Sequence, residues 1–165
     1  MSRRSRALSA AAVCAAVGGA VGVPALTSAQ TTGGHDVTVR DRVKAVKFVH
    51  TSRARGERLA MGDRVITSQA TFDEQNKPVG SLTTDCVNVG RTARVFDATL
   101  QCSSIYRFGN GQVVTSGVVR LGGNPASIRI AIVGGSGAYR SAKGEVSAGA
   151  PVNGYDNVDA LHLDG

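Results

Sequence analysis

From residue 37 onward the apolar positions of this chain recur with a period of two, not 3.6. Ile128, Ile130 and Ile132 alternate with Arg129 and Ala131, and Val65, Thr67, Gln69 and Thr71 alternate with Ile66, Ser68, Ala70 and Phe72. β-Branched residues dominate these runs, and Gly, Asn or Pro separates them, which is the pattern of strands and turns. The runs predict about eight strands: Val43–His50, Arg64–Phe72, Val79–Val89, Val95–Tyr106, Gln112–Leu121, Ser127–Val133, Gly144–Ala148 and Val158–Leu163. No stretch after residue 36 offers a capped amphipathic helix. The fold class is therefore all-β and antiparallel. Strands of this kind form either a sandwich, which leaves edges, or an eight-stranded up-and-down β-barrel, which removes them and encloses space. Periodicity alone leaves both open.

The punctuation supports hairpins. Asp73-Glu74-Gln75-Asn76-Lys77-Pro78 joins the second and third runs, and Gly122-Gly123-Asn124-Pro125 closes a later one. Gly109-Asn110-Gly111 offers the positive φ angles that a tight hairpin uses.

The first 29 residues read differently. Arg3, Arg4 and Arg6 form a basic start, no charge follows until Asp36, and Ala7 to Val23 is rich in Ala, Val and Gly. Thr27-Ser28-Ala29 supplies the small residues a signal peptidase reads, so cleavage is expected after Ala29 and the protein is expected to be secreted. The rival reading is a retained membrane anchor, against which the stretch is poor in Leu and Ile. Ser2-Arg3-Arg4 resembles the start of a twin-arginine signal, but Arg6 stands where that motif wants an apolar residue. In the mature chain, residues 30–36 (QTTGGHD) read as a disordered N-terminus and residues 37–165 as one domain.

Cleavage removes three arginines and lowers the formal charge from +7 to +4. It also removes Cys14 and leaves Cys86 and Cys102, an even pair that export would oxidise to a disulfide. An obvious turn at Gly90-Arg91-Thr92 would set Cys86 opposite a residue near Phe96. A bridge therefore needs a wider loop, from Gly90 to about Ala98. Arg40, Arg42, Lys44, Lys47, Arg53, Arg55 and Arg58 fall close together, offset by Asp41 and Glu57. With no nucleic-acid-binding motif present, this run reads as a solvated face, and no nucleic-acid partner is expected.

The densest motif is Ile132-Val133-Gly134-Gly135-Ser136-Gly137-Ala138-Tyr139-Arg140-Ser141-Ala142-Lys143-Gly144-Glu145-Val146. Gly134, Gly135 and Gly137 permit a bend between strands, Tyr139 can fold back as an apolar plug, and Gly144 permits close approach where the next strand begins. It is not a phosphate cradle. Arg140 replaces the last glycine of G-x-G-x-x-G, and Gly144 replaces the Ser or Thr of a P-loop. Three further features precede it in order: Gly62-Asp63 before a strand, Val79-Gly80 with Cys86 six residues after the glycine, and Gly109-Asn110-Gly111 ahead of Gly117.

This ordered set resembles the allene oxide cyclase and dirigent-like barrel family, over roughly residues 62–146. The resemblance implies a closed barrel whose interior admits a small hydrophobic or phenolic molecule and directs its cyclisation or stereoselective coupling by fixing its geometry. It implies no cofactor. In the cyclases a strand asparagine positions a water seven residues after the Gly-Asp glycine; Gln69 stands there, with Thr67 on the same strand face. The cyclases carry an acid and an asparagine on the first strand, whereas Val43 to Ser52 holds neither and offers His50. Dirigent proteins place carboxylates and an arginine around the pocket, for which Asp97, Asp85 and Arg140 are candidates by type. Asp97 stands out because it interrupts the apolar run Val95-Phe96-Asp97-Ala98. The three histidines, His35, His50 and His162, are too widely spaced to suggest a metal site. Two rival readings share the barrel: a non-catalytic carrier, and a structural exported domain whose interior is filled by side chains.

Overall fold

The computed structural model of this chain describes residues 34–51, 58–120, 128–149 and 157–164. The leader expected at residues 1–29, most of the expected tail and the Gly122–Pro125 turn lie outside them. Among the described residues the chain forms ten strands and no α-helix: β1 (His35–Val49), β2 (Arg58–Leu59), β3 (Arg64–Phe72), β4 (Pro78–Asn88), β5 (Ala93–Arg94), β6 (Thr99–Phe108), β7 (Gly111–Arg120), β8 (Arg129–Gly137), β9 (Gly144–Ala148) and β10 (Asn157–Leu163). Eight of them close into an antiparallel barrel in the order β1-β10-β9-β8-β7-β6-β4-β3, with β3 returning to β1. Closure settles the choice between sandwich and barrel. The two short strands β2 and β5 pair with each other apart from it.

Three strands differ by more than two residues at one end from the pattern read in the sequence: β1, β6 and β8, the last running on to Gly137 because Gly134–Gly137, expected to form a bend, still pair with β7. β1 starts at His35, well before Val43, and takes in the last two residues of the expected tail. It can be this long because it is paired twice. His35 to Asp41 run against β10 (His35↔Leu163, Asp41↔Asn157), while Arg40 to Val49 run against β3, past a bulge between Val43 and Ala45. The second difference is at β6, which starts at Thr99 rather than Val95. Val95–Asp97 is a 3₁₀ turn with Phe96 72% exposed, so this apolar-looking run is loop.

That wider loop lets Cys86 and Cys102 face each other. They are register partners on β4 and β6, with Cα atoms 4.0 Å apart, and they form a disulfide. Buried Asn88 organises the loop above it. Its side-chain amide donates to the Leu59 and Arg91 carbonyls (3.0 and 3.3 Å), and its Oδ1 accepts from the Gly90 amide (3.1 Å).

At the other end the connections are short. Gly109-Asn110 turns β6 into β7 with Phe108 opposite Gly111, and neither turn residue adopts a positive φ. In the glycine motif, Gly137 sits at φ +62° and Gly144 at φ +118°; a Cβ on Gly144 would also collide with the His162 carbonyl oxygen of neighbouring β10. Tyr139, 5% exposed, tilts against Phe108 with ring centroids 5.3 Å apart and plugs the short-turn end. Val39, Leu82, Tyr106, Val113, Ile132, Val146, Leu161 and Leu163 complete that cluster. A second apolar cluster of Leu59, Val65, Ala98, Leu100, Val119 and the two cysteines fills the long-loop end.

Candidate functional site

Between the two clusters the barrel interior holds a partly open cavity of about 250 Å³. Alternation along each strand determines its walls. Val65, Leu82, Leu100, Val119, Ile130 and Val146 give it an apolar surface, and the disulfide-bonded cysteines belong to the same wall. Its polar groups are Thr67 and Gln69 from β3, Thr84 from β4, Ser104 and Tyr106 from β6, and Asn157 and Asp159 from β10. Several of these are already satisfied: Thr84 Oγ1 and Ser104 Oγ lie 2.9 Å apart, and Gln69 Nε2 reaches Thr67 Oγ1 at 3.4 Å. Gln69 Oε1 is buried and has no donor among the described residues.

The most unusual chemistry in the barrel is a pair of buried carboxyl groups. Asp41 is 0% and Asp159 3% exposed. Tyr106 Oη donates to Asp159 Oδ2 at 2.6 Å, and Asn157 Nδ2 donates to Asp159 Oδ1 at 2.5 Å. Neither oxygen of Asp41 receives a hydrogen bond from a donor among the described residues; its polar contact is with the Asp159 carboxylate. Burial above all, then the neighbouring Asp159 charge and the hydrogen bond to it, push Asp41 up to about 9. Burial also raises Asp159, opposed by the hydrogen bonds from Asp41 and Tyr106. The Tyr106 hydroxyl is held well above its ordinary value by burial and by Asp159. Two carboxyls in contact inside an apolar shell cannot both be ionised, so near neutral pH the pair holds one proton. Asp159, one of the pair, lines the cavity.

The candidates read from the sequence fall in three places. Thr67 and Gln69 both line the cavity. His50 does not; its Nδ1 lies 3.0 Å from Oδ2 of Asp63, at the end of β1. Asp63, fully buried, also accepts from the Thr51 amide (2.7 Å), the Thr51 hydroxyl (3.0 Å) and the Ala60 amide (2.9 Å). The His50 and Thr51 bonds hold its carboxyl far below the usual range. The Gly62-Asp63 pair is thus a tether between the end of β1 and the start of β3. Asp97 and Arg140 are exposed, the first on the 3₁₀ turn and the second in the turn after β8. Asp85 pairs with Arg64 on the outer wall. Asp41, Asp159 and Tyr106 were not among the candidates. Their signal is the phase of the alternation: Val37, Val39 and Asp41 are spaced two apart, as are Asp159, Leu161 and Leu163, so each acid sits where an apolar residue belongs.

A model of the allene oxide cyclase barrel-like domain matches residues 44–159, more than half of the chain. The chain belongs to that family. The match begins after Asp41 and ends on Asp159. No curated protein matches the chain in sequence. Among solved structures, a pyocyanin demethylase is similar at 21% identity and a TM-score of 0.63, over 78% of this chain and 99% of that one. An exo-specific intermolecular Diels–Alderase is similar at 11% identity and a TM-score of 0.56, over 80% and 98%. The Diels–Alderase AbmU from Streptomyces koyangensis is similar at 18% identity and a TM-score of 0.54, over 79% of this chain and 64% of that one. At these identities the likeness is one of fold.

Proposed function

We propose that this protein is an exported small-molecule cyclase that holds a compact, mostly apolar molecule inside the barrel and directs its ring closure or ring rearrangement. The observation that carries this reading is the buried acid pair Asp41–Asp159, of which Asp159 lines the polar side of the cavity. A buried acid with a raised affinity for its proton donates to a developing alkoxide or enolate without first being hydrated, and its conjugate base takes the proton back. Asp159 is the group in reach of the ligand, Asp41 is its proton reservoir, and Tyr106 fixes the orientation of Asp159. Gln69, with its buried Oε1, would accept a hydrogen bond from the ligand, and Thr67 would set the amide. The apolar walls would fix the conformation of the remainder, which is how such a cavity raises rate and selects one product. Two of the similar structures are Diels–Alderases and a third is a pyocyanin demethylase, which fits a barrel used on ring chemistry.

Native mass spectrometry of the secreted protein, followed by solvent extraction, tests the reading. A noncovalently bound small molecule is expected on the wild type. Ser104→Phe, which fills the cavity, should abolish binding, whereas Asp159→Asn should retain the molecule but fail to convert it. Binding unaffected by Ser104→Phe would remove the interior site. Conversion unaffected by Asp159→Asn would leave a carrier in place of a cyclase.

A further inference from the structure

Three side chains on the outer wall of the barrel, from the adjacent strands β1, β10 and β9, form a hydrogen-bonded relay. Asp36 stands opposite His162, and Ser147, opposite Ala160, is the diagonal neighbour of His162. Val146, Leu161 and Leu163 belong to the interior apolar cluster, so alternation turns Ser147 and His162 outward. His162 Nδ1 lies 2.8 Å from Asp36 Oδ1, and His162 Nε2 lies 3.0 Å from Ser147 Oγ. Arg129 of β8, the register partner of Ser147, donates from Nη1 to Ser147 Oγ at 2.8 Å and to Glu145 Oε1 at 2.5 Å. None of these residues lines the interior cavity.

The bonds give the relay a direction. A carboxylate only accepts, so in the neutral ring Nδ1 carries the hydrogen that Asp36 receives. Nε2 is then the basic nitrogen, and the Ser147 hydroxyl donates to it. The charged Arg129 donor at Oγ favours the negative charge that develops there when the proton leaves. Glu145 in turn holds the guanidinium beside Ser147. A nucleophile in reach of a base, with the base oriented by an acid, is the signature of an activated serine, and it is recognised by geometry and not by chain order.

We infer that Ser147, His162 and Asp36 form a second reactive centre, a serine nucleophile that hydrolyses small esters. Ser147 Oγ attacks the ester carbonyl carbon, and its proton passes to His162 Nε2. The bond from that carbon to the leaving oxygen breaks, and the leaving oxygen takes the proton from His162. Water then attacks the acyl-serine and gives a proton to His162, which returns it to Ser147 Oγ as the acid departs. Arg129 donates to the carbonyl oxygen as it gains charge, and Asp36 is a positioning residue that keeps Nε2 free to accept. The centre is open to water, with the His162 and Asp36 side chains 38% and 68% exposed. A solvated site stabilises an oxyanion less than a water-excluded one. Its substrates are therefore esters of short acids with weakly basic leaving groups, such as phenyl and enol esters.

Labelling of the folded, secreted protein with diisopropyl fluorophosphate and peptide mapping, alongside hydrolysis of p-nitrophenyl acetate, tests this. An adduct on Ser147 is expected, and the labelled protein should lose hydrolysis. Ser147→Ala and His162→Gln should each lower the rate at least about tenfold, less than the ~10²-fold of a positioned base in an enclosed site. Asp36→Asn should lower kcat with KM unchanged. Ser103→Ala, at an exposed serine on β6, should behave as the wild type does, and circular dichroism should show every variant equally folded. Hydrolysis should also survive Ser104→Phe, which leaves this centre intact whether or not the interior site holds a ligand. No adduct on Ser147, a rate unchanged in Ser147→Ala, or hydrolysis lost in folded Ser104→Phe overturns the centre.

Discussion

The buried acid pair makes a direct claim about stability, tested by replacing Asp41 with asparagine. Unfolded, Asp41 ionises near 3.8 as a free aspartate does; folded, it holds its proton up to about 9. The native state therefore keeps a proton that the unfolded chain releases throughout that window. Stability must fall as pH rises, by about 1.4 kcal/mol per pH unit for one retained proton. Between about pH 5 and pH 8 this amounts to about 4 kcal/mol, a large share of the ~5–15 kcal/mol by which a domain is stable. Asp159, also raised, adds in the same direction. Asp63, shifted the other way, is ionised in both states across these pH values and contributes no slope there. An asparagine in place of Asp41 would present an N–H to Asp159 as the protonated acid presents its O–H, and would not titrate. Urea unfolding of the oxidised protein in steps of one pH unit is the assay. The wild-type midpoint should drop steadily, while Asp41→Asn should drop less steeply, keeping only the slope of Asp159, and should be clearly more stable than the wild type at pH 8. A wild type as stable at pH 8 as at pH 5, or a variant with the wild-type slope, would refute the shared proton.

Tyr106→Phe removes the 2.6 Å bond to buried Asp159 and should lower stability by about 1.5–3 kcal/mol, read by the same unfolding assay near neutral pH. Cys86 and Cys102 should not react with a thiol reagent in unfolded, unreduced protein, and replacing both with alanine should lower stability by about 3 kcal/mol, the closure term for a loop of this length. Asp63→Asn should lower the melting temperature at neutral pH, with the gap to the wild type shrinking as acid protonates Asp63 below the ordinary carboxylate range. Intact-mass measurement of secreted protein should begin at Gln30; a mass that includes residues 1–29 would contradict cleavage after Ala29.

Most of the barrel was legible because each strand carries its own alternation. β3 and β9 have the boundaries their apolar phase predicts. Errors arose where pairing, not local pattern, sets an end. In sequence only the part from Val43 onward reads as strand, because the bulge between Val43 and Ala45 shifts the phase in mid-strand. Only the double pairing with β10 and β3 shows it to be one element. That break also hides the first-strand acid, since Asp41 lies on the near side of the bulge, outside the stretch the pattern marks as strand. Asp97 suffered the opposite error. Val95-Phe96-Asp97-Ala98 looks like a strand interrupted by a charge, yet its residues turn through a 3₁₀ loop around one buried anchor, Ala98.

The acid pair is visible only in three dimensions. A carboxylate in the apolar phase of a strand is either a misplaced boundary or a buried acid, and one strand cannot distinguish them. Asp41 and Asp159 are far apart in sequence and are joined only because β10 closes the barrel against β1, with Asp41 opposite Asn157 and Asp159 two residues further along the same inward face. Each acid alone would be a costly defect, because burying one unpaired charge opposes folding more strongly than a hydrogen bond repays. Paired, with Tyr106 and Asn157 donating to Asp159, they can share a proton, and their stability depends on keeping it. Barrel closure therefore supplies both the cavity and the acid. A substitution that loosens the β1–β10 seam, such as Val39→Gly, should destabilise the protein at every pH. It should also move the pair toward ordinary carboxylate behaviour as water reaches Asp41, so the fall in stability between about pH 5 and pH 8 should be shallower than in the wild type. A Val39→Gly protein that keeps the full wild-type fall would show that the proton is held without help from the closed seam.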